Sequence, residues 1–271
     1  MGEQSVNKRN ERLGEIGYNF NNEEMKIIVY NYANDIVVEF QDEPKGRKHT
    51  TYGNFKKGGV VNPYSRTIFN VGYIGEGKYD TKIKGKRTKA YTVWRGIMER
   101  GYSEEFKEKR PTYRDCYVCE EWHNFQNFAK WYEENYYECN GEKMCLDKDI
   151  LIKGNKIYSP ETCVFVPERI NMLFTKSDAI RGDYPIGVQY RHKIVDGYEY
   201  DYLEVYCCIT ENKRKKGKYL GTFPLNRPFQ AFYTYKIFKE KYIKQVADEY
   251  KNKIPQKLYD AMYKYEVEIN D

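Results

Sequence analysis

The residues best equipped for chemistry are Asp147-Lys148-Asp149, two carboxylates around a lysine, directly after the apolar run Met144-Cys145-Leu146. Carboxylate oxygens suit hard divalent cations such as magnesium or manganese. A lysine at its ordinary pKa is protonated at neutral pH, which makes it a poor general base and a good phosphate contact. A second group is Cys116-Tyr117-Val118-Cys119, which has the spacing of half a zinc site; Cys139, Cys145, Cys163 and His123 could supply the rest. The chain has seven cysteines and no second CxxC pair. The thiols therefore read as reduced, Cys119 and Cys163 as small buried hydrophobes, and a structural zinc is not expected. The three histidines are His49, His123 and His192. His123 falls off the apolar stripe around it, as an inert surface group would.

The carboxylates need elements to hold them. After Asp149 comes a polar loop with the turn formers Gly154, Asn155, Ser159 and Pro160, then a β-branched run from Thr162 to Val166. Pro167 stands where a first helical residue should be, and Ile170, Leu173 and Phe174 recur at helical spacing. The reading is strand, loop, strand, helix. So small a unit buries little by itself, so a metal or packing against neighbours must hold it.

This order resembles the ββα-metal unit of HNH nucleases, in the variant common among phage proteins. That variant reads Leu-Asp-Arg-Ile-Asp, a Gly-Asn turn, then Tyr-Ser-Pro-Glu-Asn-Cys-Arg-Trp. Here Leu146-Asp147-Lys148-Asp149 is followed by Gly154-Asn155, then by Tyr158-Ser159-Pro160-Glu161-Thr162-Cys163-Val164-Phe165. Tyr91–Tyr102 and Val118–Trp131 are similar to the two helical segments that precede the motif in those proteins, so the resemblance runs from Thr88 to Ser177. It implies DNA hydrolysis with magnesium or manganese: the metal stabilises the leaving oxygen and a histidine takes the proton. By position, Asp147 and Asn171 match metal ligands, Thr162 replaces the middle asparagine, and Lys148 stands where the histidine base belongs. Lys148 would then contact phosphate and Asp149 would be the substitute base. No histidine lies in the motif.

At 271 residues the chain has room for two or three domains. Aromatic residues make up 17%, 29 of them tyrosines, which is ample core material and also suits base stacking and phosphate contacts. The net charge of +6 permits nucleic-acid binding without demanding it. No signal peptide and no apolar run of membrane length is present, so a soluble, cytoplasmic protein with no membrane partner is expected, in the host cell if phage-encoded.

The expected class is α+β in four segments: a small β-rich module over 1–78, a basic linker over 79–89, the HNH-like ββα domain over 90–180, and a DNA-binding domain with a closing helix over 181–271. Met1–Leu13 is polar and expected to fray. Strands at Lys26–Tyr30, Asp35–Gln41, His49–Tyr52 and Ile68–Tyr73 suggest a small barrel or curled sheet. The linker carries Lys82, Lys84, Lys86, Arg87 and Lys89; it could lie along phosphates, and a plain solvated linker fits equally well. Thr88 can cap a helix that Gly101 ends, and a second helix spans Glu121–Asn135 on a stripe of Trp122, Phe125, Phe128, Ala129 and Tyr132.

Beyond Gly187, strands at Ile186–Arg191, Tyr200–Thr210 and Lys218–Phe223 are separated by turns at Asp196-Gly197 and Lys213–Lys216. Asn226 can cap a long helix buried through Phe229, Phe232, Tyr235, Tyr242, Ile243 and Val246, and Ile254–Glu266 closes the chain. Three strands backed by a helix, with Gly187-Val188, Tyr219–Phe223, Ala231 and Tyr235, resemble the ethylene-response (Apetala-type) DNA-binding domain. In that family the sheet lies in the major groove. By position the resemblance makes Gln189, Arg191, Glu204, Tyr206 and Lys218 groove-facing, with Lys213, Arg214, Lys215 and Lys216 in an adjoining basic turn; Lys86 and Arg87 are further phosphate candidates. Three readings stay open: an HNH-like endonuclease with a degenerate site, an inactive protein that binds double-stranded DNA, and a phage inhibitor or regulator that binds a host protein.

Overall fold

Alternating apolar residues organise the N-terminal part of the computed structural model, which describes residues 11–175, 183–211, 214–269 and 271. Strands β1 (Ile16–Tyr18), β2 (Glu24–Tyr32), β3 (Asp35–Phe40) and β4 (Arg47–Thr50) pair antiparallel in chain order. Ile36, Val38 and Phe40 of β3 are buried opposite Tyr30, Ile27 and Met25 of β2. Phe55, on the short helix α1 (Tyr52–Lys56), and Val60 complete this core. The sheet stays open, with β1 and β4 at its edges, so of the two expected forms, small barrel or curled sheet, the barrel is not formed. Four short strands are too few to curl round a filled interior. Ile68–Tyr73 is a tight turn, not the expected strand: Ile68 bridges Gly72 across Phe69 and Asn70, which have φ of 51° and 59°. A Cβ on Gly72 would lie 2.9–3.1 Å from Met98 and Trp94, so this turn depends on close backbone approach to a helix.

The basic segment is structured. Strands β5 (Lys82–Ile83) and β6 (Lys86–Arg87) form a hairpin, and its two turn residues, Lys84 and Gly85, have the positive φ values of a tight two-residue turn. Next come α2 (Lys89–Tyr102) and α3 (Glu104–Lys109). Thr88 caps α2 as expected, its Oγ1 accepting the Tyr91 N–H at 3.2 Å. The helix runs through Gly101, where a stop was expected; a Cβ there would come within 3.3 Å of Val118, so the glycine serves close packing. The two-residue strand β7 (Tyr117–Val118) pairs in parallel with Ile157–Tyr158. Helix α4 (Phe125–Asn135) starts later than the sequence suggests, because Glu120–His123 is a 3-10 turn and Asn124 is the cap. Trp94, Ile97, Met98, Trp122, Phe125 and Phe128 are buried, and the Trp94 indole donates to the Trp122 carbonyl at 2.7 Å. His123 is half-buried and lies 2.8 Å from the Tyr102 hydroxyl, not on the open surface; burial lowers its pKa.

In the central motif, β8 (Met144–Asp147) and β10 (Val164–Pro167) are antiparallel, with Asp147 opposite Val164; β9 is Ile157–Tyr158. Helix α5 (Glu168–Leu173) follows directly and buries Ile170 and Leu173. Next come β11 (Val188–Val195), β12 (Tyr198–Glu211) and β13 (Arg214–Pro224), an antiparallel sheet, then α6 (Pro228–Glu249) and α7 (Gln256–Lys264). Val188, Leu203, Val205, Cys207 and Ile209 on one face of the sheet share a core with Ala231, Phe232, Tyr235, Ile243 and Val246 of α6. Arg214, Lys215 and Lys216 belong to β13 and not to a turn, because β12 and β13 are both longer than expected. Arg227 occupies the N-cap position foreseen for Asn226, and Phe229, expected in the buried face, is 67% exposed. Gly187 has φ +78°, and a Cβ there would stand 2.1 Å from the Tyr235 ring.

The fold is thus mixed α+β, with seven α-helices and several small sheets among the described residues. It separates into two compact units. One takes in the described residues up to Tyr136 together with Lys156–Glu161; the other takes in Tyr137–Asn155 together with those from Thr162 on. The division passes through the central motif. No helix among the described residues is long and apolar enough to cross a membrane. None of the seven cysteines, all among the described residues, is in a disulfide; Cys116, Cys139, Cys163 and Cys207 are buried, Cys119 is half-buried and Cys208 is exposed.

Candidate functional site

The motif around Asp147 is shaped by hydrogen bonds that close its loop. Asp147 ends β8, and its Oδ1 accepts the N–H groups of Asp149 at 2.9 Å and Ile150 at 2.8 Å. This is the turn-forming bond that aspartate makes readily with backbone two and three residues on. Lys148 is 7% exposed. Its Nζ donates to Asp149 Oδ2 at 3.0 Å and to the Asn155 carbonyl at 2.9 Å, while Asn155 Nδ2 donates to the Lys148 carbonyl at 2.6 Å. Lys153 ties the same loop to the end of the chain, donating to the Glu266 carbonyl at 2.9 Å and to Asp271 at 2.8 Å. Burial raises the Asp147 carboxyl to about 6, with the charge of Asp149 adding to the effect and the backbone donors opposing it.

The four residues expected at a nuclease centre therefore have separate tasks. Asp147, Lys148 and Asp149 share one turn. Asn171 lies half-buried on α5, its carbonyl accepting from Phe174 and Thr175, and no hydrogen bond joins it to Asp147 among the described residues. A hard cation needs several uncommitted oxygens around it. Here one oxygen of Asp147 caps a turn, Asp149 is paired with an ammonium, and that ammonium would repel a second cation. Among the described residues no three His, Cys, Asp or Glu side chains are grouped to hold a metal ion. The donors present do not fit magnesium or manganese at this turn, and Lys148 points into the loop.

The three-stranded sheet offers a different surface. Directly opposed residues of antiparallel strands share a face. Gln189 opposes Glu204, Arg191 opposes Tyr202 and Lys193 opposes Tyr200; across the other ladder, Thr222 opposes Glu204, Tyr219 opposes Tyr206 and Lys215 opposes Thr210. All of these lie on the face away from the buried Leu203, Val205, Cys207 and Ile209. Arg191 is held there by a 2.8 Å ion pair from Nε to Glu204 and by donation to the Gln189 side-chain oxygen. Tyr206 and Tyr219 pack with ring centroids 5.5 Å apart.

Of the groove-facing candidates, Gln189, Arg191, Glu204, Tyr206 and Lys215 thus come together on one face. Lys218 opposes Cys207 and Lys216 opposes Ile209, which puts both on the helix side of the sheet, and Arg214, opposite Glu211, is on that side too. The reason is a bulge in β13 at Leu220, between the pairs Val205–Gly221 and Tyr206–Tyr219, which shifts the residues that precede it on β13 to the other face relative to those that follow. Lys213 lies outside the described residues. Lys86 and Arg87 are exposed on the β5–β6 hairpin of the other unit. Sequence reasoning missed Lys193, Tyr200, Tyr202 and Tyr219: Lys193 lay beyond the expected end of β11, while the period of two along β12 already held the signal for Tyr200 and Tyr202.

No protein-family model, no curated protein and no solved structure matches this chain.

Proposed function

We propose that this protein binds double-stranded DNA through the outer face of β11–β13, and that its ββα turn serves as a structural clasp. The observation that carries the reading is one face presenting Gln189, Arg191 and Glu204 as a pre-formed hydrogen-bonding set, with Lys193, Lys215 and four tyrosines around it. A major groove admits a β-ribbon, arginine and glutamine read guanine and adenine edges, and flanking cations position the phosphates. Glu204 and Gln189 hold the arginine in place, so less side-chain freedom is lost on binding. The closed turn at Asp147–Asn155 supports the non-hydrolytic reading, since the groups that would cut are committed to the loop.

The test is anisotropy of labelled duplex DNA against salt, beside incubation with supercoiled plasmid and magnesium or manganese. Salt-sensitive binding without nicking is expected. Nicking that disappears in Asp147→Ala would replace this reading with the endonuclease one. Absence of DNA binding at low salt would leave a host protein as the partner.

A further inference from the structure

A cavity of about 1010 Å³ opens beside the part of β12, Tyr206 to Thr210, that runs on past the first residue of β11. Lys239 of α6 lines it. This side chain is only 9% exposed, yet among the described residues it has neither an ion-pair nor a hydrogen-bond partner. Burial holds its pKa below the usual lysine value. Lys215 lines the same cavity, again with no ion-pair partner among the described residues, and the Nε of Arg169, another lining residue, is buried without a partner. Three charged lining residues are already balanced, Arg169 by Glu249, Arg191 by Glu204 and Asp271 by Lys153, which leaves Lys239 and Lys215. Asp183 is the one further carboxylate among the described lining residues, so positive charge is in excess. Rings of Tyr184, Tyr235 and Tyr265 form part of the wall.

We propose that this cavity binds a nucleoside phosphate, its phosphate on Lys239 and its base against the tyrosine rings. A buried ammonium without a counter-charge is costly, and a phosphate supplies both the charge and several acceptor oxygens. Neither a neutral ring nor a bare anion answers both halves of the wall. The volume is that of a small-molecule site and exceeds what a hydrated ion needs. The inference goes beyond duplex reading by the sheet: Gln189, Arg191, Tyr206 and Lys215 border both the outer face and the cavity, whereas Lys239 of α6 lines the cavity alone.

Calorimetry on the full chain tests it, with inorganic phosphate, adenosine, AMP, dTMP and a short single strand with and without a 5′-phosphate as probes. The monophosphates should bind at least about tenfold more tightly than adenosine or phosphate alone, and Lys239→Met should lose at least about tenfold of that affinity. Competition by the 5′-phosphorylated strand, but not by its 5′-hydroxyl form, would make the ligand a strand end; failure of both strands to compete would make it a free nucleotide. Lys239→Met should melt no lower than the wild type, since it removes an unbalanced buried charge. If it fails to fold, mass-spectrometric footprinting of lysine reductive methylation in the wild type decides: AMP should protect Lys239 and leave the exposed Lys241 unchanged. The proposal is overturned by no binding of either monophosphate at millimolar concentration, by equal binding of adenosine, by full affinity in Lys239→Met, or by no protection of Lys239.

Discussion

Replacing Lys193 and Lys215 together by alanine should change how salt affects DNA binding, while replacing Lys216 and Lys218 together should not. The two pairs are alike in sequence terms, lysines on strands of one sheet, and all four are exposed. They differ in register: Lys193 and Lys215 share the face of Arg191, whereas Lys216 and Lys218 oppose the buried Ile209 and Cys207. Each phosphate neutralised contributes about 0.9 to the slope of log affinity against log salt, so the two flanking lysines give a slope of about −1.8, Arg191 being paired with Glu204 and turned to base edges. Between about 50 and 200 mM salt the wild type should then weaken roughly 12-fold. The Lys193/Lys215 variant keeps neither cation, and its affinity should be nearly flat over the same range. Anisotropy titrations of one labelled duplex at four salt concentrations measure all three proteins. If the hairpin bearing Lys86 and Arg87 also follows the backbone, each of those residues adds about 0.9 to every slope equally, which Lys86→Ala with Arg87→Ala would remove. A slope that flattens in the Lys216/Lys218 variant and stays unchanged in the Lys193/Lys215 variant would refute the assignment of faces and with it the groove-reading surface.

Lys148→Met should destabilise the protein by about 1–3 kcal/mol in urea unfolding, because the Asn155 carbonyl loses a buried donor, and Lys148→His should gain no nicking activity. A Lys148→His enzyme that nicks plasmid would show that only a base was missing. Asp147 has its folded pKa raised from 3.8 to about 6, so the stability it contributes is fully present below about pH 3.8 and is lost as pH rises through 6. Asp147→Asn should therefore cut the pH dependence of stability between pH 4 and 7 by on the order of 2 kcal/mol, and identical pH profiles for the two proteins would contradict the burial of that carboxyl. Gly187→Ala should cost about 2–4 kcal/mol, since it combines a left-handed φ of +78° with a Cβ 2.1 Å from the Tyr235 ring; an unchanged melting temperature would show that the contact is slack.

Local chemistry made much of this chain legible. The Thr88 cap, the Asp196-Gly197 turn, the buried stripe of α4 and the order strand, loop, strand, helix around Asp147 follow from short-range preferences that few residues decide. So does the three-strand-plus-helix order of the C-terminal part, because a period of two followed by a period near 3.6 is written in the apolar residues themselves. What the sequence left open was everything set by partners far along the chain. Ile68–Tyr73 has strand composition, yet the fit of Gly72 against Met98 and Trp94 makes it a turn. Lys148 stands at a catalytic position by alignment, and the Asn155 carbonyl seven residues away, together with Asp149, holds its ammonium inward. Lys215 and Lys216 are neighbours in one basic run, and the bulge at Leu220 together with pairing to β12 puts one on the outer face and the other on the helix side. A side chain's type is local information, but its direction is fixed by register and packing, and those exist only once the distant strands have met.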